Sequence, residues 1–341
     1  MPHSPVLSET LELTLEGPLD RLDVALLSAL KAQEGIFTSL SRAQLKSWFH
    51  EKRIRQTAPH RRTAQASDSL GTGQSVRLEI LYRKDELEIR AEGLIAKKIE
   101  LPVIFEDPSL LIVHKRSGVP SVPQAPDESE TAVGFALART PGIFKVGTED
   151  GPGRTALESG VLHRLDTGTS GLLVFAKNNP AFSTLRQAWK AGDVRKKYRA
   201  LVRLETELDL DQVPREIRFD LGHDPKSKKK MLALTSEDLK IRGKPLPAVT
   251  LIHQVRPIPK RTGPFFDYDL EIEIQTGVMH QIRCHLASIG LPILGDRVYG
   301  NQPASRLFLH AWRLSLPHPE SQGLRIDVEA MLPWVTAPVA P

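Results

Sequence analysis

Between Val161 and Lys177 one aspartate, Asp166, sits among small polar residues and is followed closely by the apolar run Leu172 to Ala176. A run of that length predicts a strand buried on both faces, and the turn before it must bring the chain to the edge of a sheet. An ionisable carboxylate is therefore held at a strand end. Beside a cleft, such a group serves as a nucleophile or a general base. The plainer reading is a turn aspartate whose carboxylate caps the amides of Gly168 and Thr169. The residues alone leave both readings open.

The rest of the pattern places this strand in an α+β chain. Leu270, Ile272 and Ile274 alternate with Glu271, Glu273 and Gln275, which predicts a half-buried antiparallel strand. Pro102 to Phe105 and Leu110 to Val113 read as two more strands, and Gly118 to Glu130 and Phe144 to Gly160 as loops. Asn179-Pro180 reads as the cap and first residue of a helix using Phe182, Leu185 and Trp189. Met279, Ile282, Leu286 and Ile289 recur at helical spacing. Strands fall at irregular intervals with few βαβ units, so a mixed, mainly antiparallel sheet is expected rather than a doubly wound one.

With 341 residues, the chain is long enough for two units. An extension over 1–17, a small module over 18–95 and a large domain over 96–341 are predicted. In the small module, Leu19, Leu22, Leu26 and Leu30 share a helical face behind Asp20 as cap. A second helix is expected from Ser41, with Gln44 completing a capping box. It buries Leu45, Trp48 and Phe49 and leaves Arg42, Lys46, Lys52 and Arg53 to solvent. A polar connection, Gln56 to Gly73, leads to a strand over Ser75 to Ile80.

Charge is concentrated in this module. Formal net charge is +5, yet Arg42 to Arg62 holds seven basic residues (Arg42, Lys46, Lys52, Arg53, Arg55, Arg61, Arg62) against Glu51, a net of +6. A basic patch in a small unit suits a polyanion; a solvated basic helix face is the alternative. The single cysteine, Cys284, excludes an internal disulfide framework and a thiolate-rich zinc site. It points to a cytoplasmic protein. Met1 to Asp20 carries no Lys or Arg, so neither a signal peptide nor a presequence is expected. No apolar stretch approaches the ~18 residues of a membrane helix, and no membrane partner is expected.

His163-Arg164-Leu165-Asp166, Thr169-Ser170-Gly171-Leu172-Leu173 and Phe175-Ala176-Lys177 together resemble the signature of RNA pseudouridine synthases of the large-subunit ribosomal RNA type. Phe105-Glu106-Asp107 through Lys115 and Gly118 is similar to that family's opening strand pair. Lys197-Tyr198 resembles its second motif. His280-Gln281-Ile282-Arg283-x-His285, with Gly295-Asp296-x-x-Tyr299-Gly300, resembles its third, and Leu309-His310-Ala311 its closing strands. The motifs occur in the family's order over Leu101 to Pro333. Arg21-Leu22-Asp23, Ser41-Arg42 and Gly73-x-x-Val76 are similar to the S4-like RNA-binding module first seen in ribosomal small-subunit protein four. The usual Asn-Gly turn after its basic helix is replaced by Gln56 to His60.

The resemblance implies a pseudouridine synthase fold and isomerisation of uridine within RNA, exchanging its N-glycosidic bond for one to carbon 5 of the base. The target must leave the stack for a side chain to reach it. Asp166 is implied as nucleophile or base, Tyr198 as the ring that stacks on the uracil, and Arg283 as the partner that fixes Asp166. Arg164 is implied to contact RNA and fill the gap left by the flipped base. Lys177 and Lys197 are candidate phosphate contacts, as are Arg42, Lys46, Lys52, Arg53 and Arg55 in the module. No metal or organic cofactor is implied. The expected partner is RNA, ribosomal RNA first and transfer RNA second, and the expected state a monomer.

Two departures from the family pattern stand out: Val278-Met279 where Arg-Thr is usual, and Lys115-Arg116-Ser117-Gly118 without the usual proline. They bear on substrate contacts and loop geometry. Metal-dependent hydrolysis by His163, Asp166, His280 and His285 is disfavoured because His280 and His285 are five apart, not the four that align ligands on one helix face. A ribosome-assembly protein that binds RNA without catalysis is the competing reading from another class. Retention of Asp166, Tyr198 and Arg283 together argues against it.

Overall fold

The computed structural model describes residues 9–33, 37, 40, 42–82, 94–96, 98–124, 128–148, 156–227, 229–236, 239–259, 264–300, 302–321 and 323–334. The chain divides into two compact units, one of residues 1–93 with 151–157 and one of 94–150 with 158–341.

In the first unit, helices α1 (Leu22–Ala32) and α2 (Arg42–His50) accompany strands β1 (Glu9–Glu16), β2 (Ile54–Ala58), β3 (Arg62–Thr63) and β4 (Ser75–Tyr82). The sheet is antiparallel in the order β1-β4-β2-β3. Leu22, Leu26 and Leu30 from α1 pack with Leu45, Trp48 and Phe49 from α2 on Val76, Leu78 and Ile80 of β4. The residues expected to form an extension therefore include a full strand. Leu11, Leu13 and Leu15 alternate with threonines and glutamates along β1 and face this core.

Three further expectations change here. Leu19 does not join the helix, because its backbone exchanges both hydrogen bonds with Leu70. The helix begins at Leu22, and Arg21 occupies the cap position without a side-chain capping bond. The polar connection after Arg55 contains β2 and β3, since Ile54 and Gln56 turn inward beside β4. Ser41 and the Gln44 side chain, expected to cap α2, lie outside the described residues.

The second unit holds β5 (Val103–Glu106), β6 (Leu110–Lys115), α3 (Ala132–Arg139), β7 (Ser170–Ala176), α4 (Asn179–Lys190), β8 (Arg195–Leu204), β9 (Glu216–Ile217), β10 (Leu221–His223), β11 (Met231–Ala233), β12 (Arg242–Leu246), β13 (Thr250–Ile258), β14 (Phe266–Ile274), α5 (Gln281–Ser288), β15 (Leu309–Pro317) and β16 (Arg325–Glu329). Its large sheet runs β5-β6-β7-β15-β8-β14-β13-β9, with β16 beside β15. The β7–β15 pair is parallel and the other pairs are antiparallel. This is the mixed, mainly antiparallel α+β sheet that the sequence predicts. A small sheet, β11-β10-β12, stands apart from it.

β7 is buried along its whole length, as its unbroken apolar run requires. Gly171 lets it lie against β15: its φ is +121°, and a Cβ there would sit 2.2 Å from the carbonyl oxygen of Ala311. Helix α4 is capped by Asn178, whose side chain accepts from the Ala181 amide at 2.8 Å, rather than by Asn179. Asn179 instead accepts from the Gly147 amide. Helix α3, not foreseen, is signalled by Thr131, whose hydroxyl accepts from the Gly134 amide. Among the described residues no helix is long and apolar enough to cross a membrane.

Candidate active site

Asp166 lies in the turn that enters β7, and Arg283 on the first turn of α5. Although 117 residues apart, they meet: Arg283 Nη1 donates to Asp166 Oδ2 at 2.7 Å. The opposite edge of the guanidinium is occupied as well. Nε and Nη2 donate to Asp296 at 2.7 and 2.9 Å, and the Asp296 side chain is fully buried. Asp296 also accepts from the amides of Val298 and Tyr299. Arg283 is thus clamped from one side and presents its remaining arm to Asp166. Bidentate pairing of this kind fixes direction as well as charge.

Burial works against the Asp296 carboxylate, but the Arg283 hydrogen bonds, its positive charge and the two backbone amides hold the carboxyl below its usual range. Burial likewise opposes the Arg283 charge, and the two carboxylates overcome it, so its pKa is raised. Asp166 retains partial access to solvent, with 26 % of its side chain exposed. A carboxylate fixed on one oxygen and open elsewhere is a group positioned to react.

Tyr198 sits in mid-strand β8, between Ile272 of β14 and Ala311 of β15. It is buried, and burial first, then the Asp166 charge, pushes its phenol upward, so the hydroxyl stays protonated across the neutral range. His280 enters α5 in a left-handed conformation, φ 56°. Its Nε2 stands 3.7 Å from Asp166 Oδ2 and its Nδ1 lies 3.2 Å from the Tyr299 hydroxyl. Burial lowers its pKa, with Asp166 pulling upward and Arg283 downward. The Tyr299 ring packs under Arg283, 5.4 Å from centroid to guanidinium carbon.

Beneath the turn that carries Asp166 lies Lys115, fully buried. Its ammonium donates to the carbonyls of Val119 (2.7 Å), Arg116 (3.2 Å) and Thr167 (3.4 Å). Burial lowers its pKa to about 7, while Asp166 opposes the shift. The folded value lies below the unfolded one, so the folded state binds fewer protons between about pH 7 and the ordinary lysine value near ~10.4. The Lys115 contribution to stability is least favourable below about pH 7 and improves as pH rises through that window. Unfolding free energies measured across it should climb more steeply in the native protein than in Lys115→Met.

The sequence-predicted residues divide in two. Asp166, Arg283 and Tyr198 are gathered at one centre. The predicted phosphate contacts are not. Lys197 is adjacent to Tyr198 on the strand and so projects from the opposite face, where it pairs with Glu271 at 2.9 Å. Lys177 pairs with Glu106 and donates to the Asp107 carbonyl at 2.7 Å. Both ammonium groups are already engaged. Arg164 remains exposed, with Glu158 at 3.7 Å. In the first unit, Arg42 binds the buried Asp23 carboxylate together with Arg21, and Arg53 pairs with Glu51. Lys46, Lys52 and Arg55 are exposed.

Met279, expected on a buried helical stripe, is exposed because α5 begins only after His280. His285 uses both ring nitrogens, on the Thr250 hydroxyl and the Phe219 carbonyl, which leaves neither for a metal. The parts that sequence reasoning did not assign are Asp296, His280, Tyr299 and Lys115. All four stand in the quoted motifs, where His280 is weighed only as a metal ligand; Asp296 adds a local signal, an acid immediately after a glycine in a turn, capping the amides that follow it.

A guanidinium fixed between a buried carboxylate and the partly open Asp166, with a buried tyrosine nearby, makes a candidate reaction centre on an α+β sheet. The family profile described as RNA pseudouridylate synthase matches residues 109–288. The ribosomal large subunit pseudouridine synthase D of Neisseria meningitidis is 28% identical over 338 residues, covering 95% of this chain and 78% of that protein. Its counterpart in Zymomonas mobilis is 32% identical over 246 residues, covering 69% of this chain and 70% of that protein. Among solved structures, human RNA Pseudouridylate Synthase Domain Containing 1 shares the fold, with a TM-score of 0.52 and 22% identity over 69% of this chain and 85% of that one. The chain belongs to the RNA pseudouridylate synthase family and is an isomerase of that class.

Proposed function

We propose that this protein isomerises one or a few uridines in large-subunit ribosomal RNA, with Asp166 acting on a flipped nucleotide as nucleophile or base. The Asp166–Arg283 pairing, with Arg283 held from behind by Asp296, carries this reading. Such a carboxylate needs no cofactor to attack or to accept a proton. Tyr198 offers an aromatic surface to the detached base while it turns. The protein is read as monomeric and cytoplasmic.

The first unit is read as an S4-like RNA-binding module and the second as the catalytic domain. Within the module, Lys46, Lys52 and Arg55 are the candidate phosphate contacts. Arg53 keeps part of its surface, and Arg42 serves chiefly to neutralise Asp23. Arg164 is the candidate for the space left by the flipped base. The relatives named above as ribosomal large subunit enzymes support ribosomal RNA as substrate.

Pseudouridine mapping of total RNA from cells with and without the gene tests the assignment. Loss of one or a few large-subunit ribosomal sites, restored by the native gene and not by Asp166→Asn, is the expected result. Loss confined to transfer RNA would replace the substrate. An unchanged map with intact RNA binding would favour a ribosome-assembly role.

A further inference from the structure

Beside the Asp166–Arg283 pair opens a cavity of about 750 Å³. That size falls within the ~300–1,000 Å³ of small-ligand sites. Thr167, Gly168 and Arg283 belong to its wall, whereas Asp166, Tyr198 and His280 do not. The cavity is therefore continuous with the Asp166–Arg283 centre through Thr167, Gly168 and Arg283.

Its other walls are strongly basic. Arg116 comes from the segment after β6, Arg297 from the turn that carries Asp296, and Arg306 from the approach to β15. Arg116 and Arg297 are exposed and have no acidic partner among the described residues. Arg306 is held in place: Nη2 donates to the Ser170 hydroxyl, Nε to the Leu307 carbonyl at 3.2 Å, and the guanidinium stacks on Phe308 and Trp334. The one carboxylate in the wall, Asp296, already has both oxygens on Arg283. Ser117 and Ser305 add hydroxyls. Three guanidinium groups around one opening repel each other unless an anion lies between them, and their forked donors match phosphate oxygens.

We infer that Arg116, Arg297 and Arg306 form a phosphate clamp for the RNA strand next to the target nucleotide, gripping the phosphodiester that flanks the flipped uridine. This rests on the reading of the protein as an RNA-modifying enzyme. The clamp would hold the strand taut beside Asp166, so it acts on binding and placement rather than on bond-making. None of the three arginines was assigned to RNA by the sequence.

The test is binding of a short unstructured oligouridylate over a salt series, with no turnover required. Removing one cation that neutralises a phosphate of a single strand flattens the plot of log affinity against log salt by about 0.7. Arg116→Gln/Arg297→Gln should therefore flatten it by about 1.4 and weaken low-salt affinity roughly 10-fold. Both side chains are exposed, so this pair should fold as the native protein does. Adding Arg306→Lys should weaken affinity further with little change of slope, because the charge is kept but a point ammonium cannot reproduce the fork. A control pair, Lys190→Gln/Lys226→Gln, removes the same charge and should leave the slope unchanged. On ribosomal RNA the arginine pair should raise KM about 10-fold with kcat within about 3-fold.

An unchanged slope, or an equal change in the control, overturns the clamp. So does an unchanged slope with inorganic phosphate protecting the native protein, but not the arginine pair, from thermal unfolding, which would mark a free-anion site. Because binding is read without catalysis, native protein that binds with the expected slope yet forms no pseudouridine would sink the proposed reaction and leave the clamp standing.

Discussion

Asp166→Asn is expected to reduce pseudouridine formation by about 10⁴-fold or more, with the affinity for RNA within about 3-fold of native. The substitution keeps the shape of the side chain and an oxygen that can still accept from Arg283 Nη1. It removes the negative charge and, with it, the capacity to attack carbon or take a proton. A 10⁴-fold loss is roughly 5.5 kcal/mol of transition-state stabilisation, far beyond what a lost surface interaction supplies. The fold should be little affected. Arg283 remains neutralised by Asp296, and Asp166 is itself partly solvated. Single-turnover assays on ribosomal RNA, with filter binding on the same preparations, separate the two effects. A variant that turns over within 10-fold of native would remove Asp166 from the chemistry and return it to the role of a turn-capping aspartate.

The chemistry was more legible in the sequence than the scaffold around it. Asp166 and Arg283 are far apart in the chain and were paired through a family resemblance; no spacing rule reaches across 117 residues. Strand β7 was readable because burial on both faces leaves an unbroken apolar run, and β14 because burial on one face leaves an alternation. β1 was missed although it alternates, since its partner β4 lies almost sixty residues downstream and pairing is a tertiary fact. The start of α1 shifted for the same reason: a backbone bridge to Leu70 outweighed the local helical spacing of Leu19. Lys177 and Lys197 show the other limit. Composition counts a lysine as available, but Glu106 and Glu271 occupy them, and only coordinates reveal such partners. Arg116 and Arg297, which have no acidic partner among the described residues, lie in separate loops far apart in the chain and form no charge run.

The support behind the site should prove as consequential as the site. Asp296→Ala is expected to destabilise the second unit by about 3–5 kcal/mol, the usual cost of stripping one partner from a buried ion pair. It leaves the Arg283 guanidinium, 9 % exposed on its side chain, with Asp166 as its remaining carboxylate, and it orphans the amides of Val298 and Tyr299. Asp296→Asn should cost less. Its carbonyl can still serve those amides and Nη2, but its amide group meets the Nε donor of Arg283. In both variants kcat should fall more than KM rises, because a guanidinium free to turn no longer aims Asp166. The pH dependence gives an independent check. The Asp296 carboxyl is held below its usual range, so its stabilising contribution is full above the ordinary carboxylate value near ~3.9 and fades as pH falls through its folded value. The native protein should lose stability in acid more steeply than Asp296→Asn, and the two unfolding curves should converge at low pH. Parallel curves would mean that the carboxylate is not what holds Arg283, and that Asp166 carries the ion pair by itself.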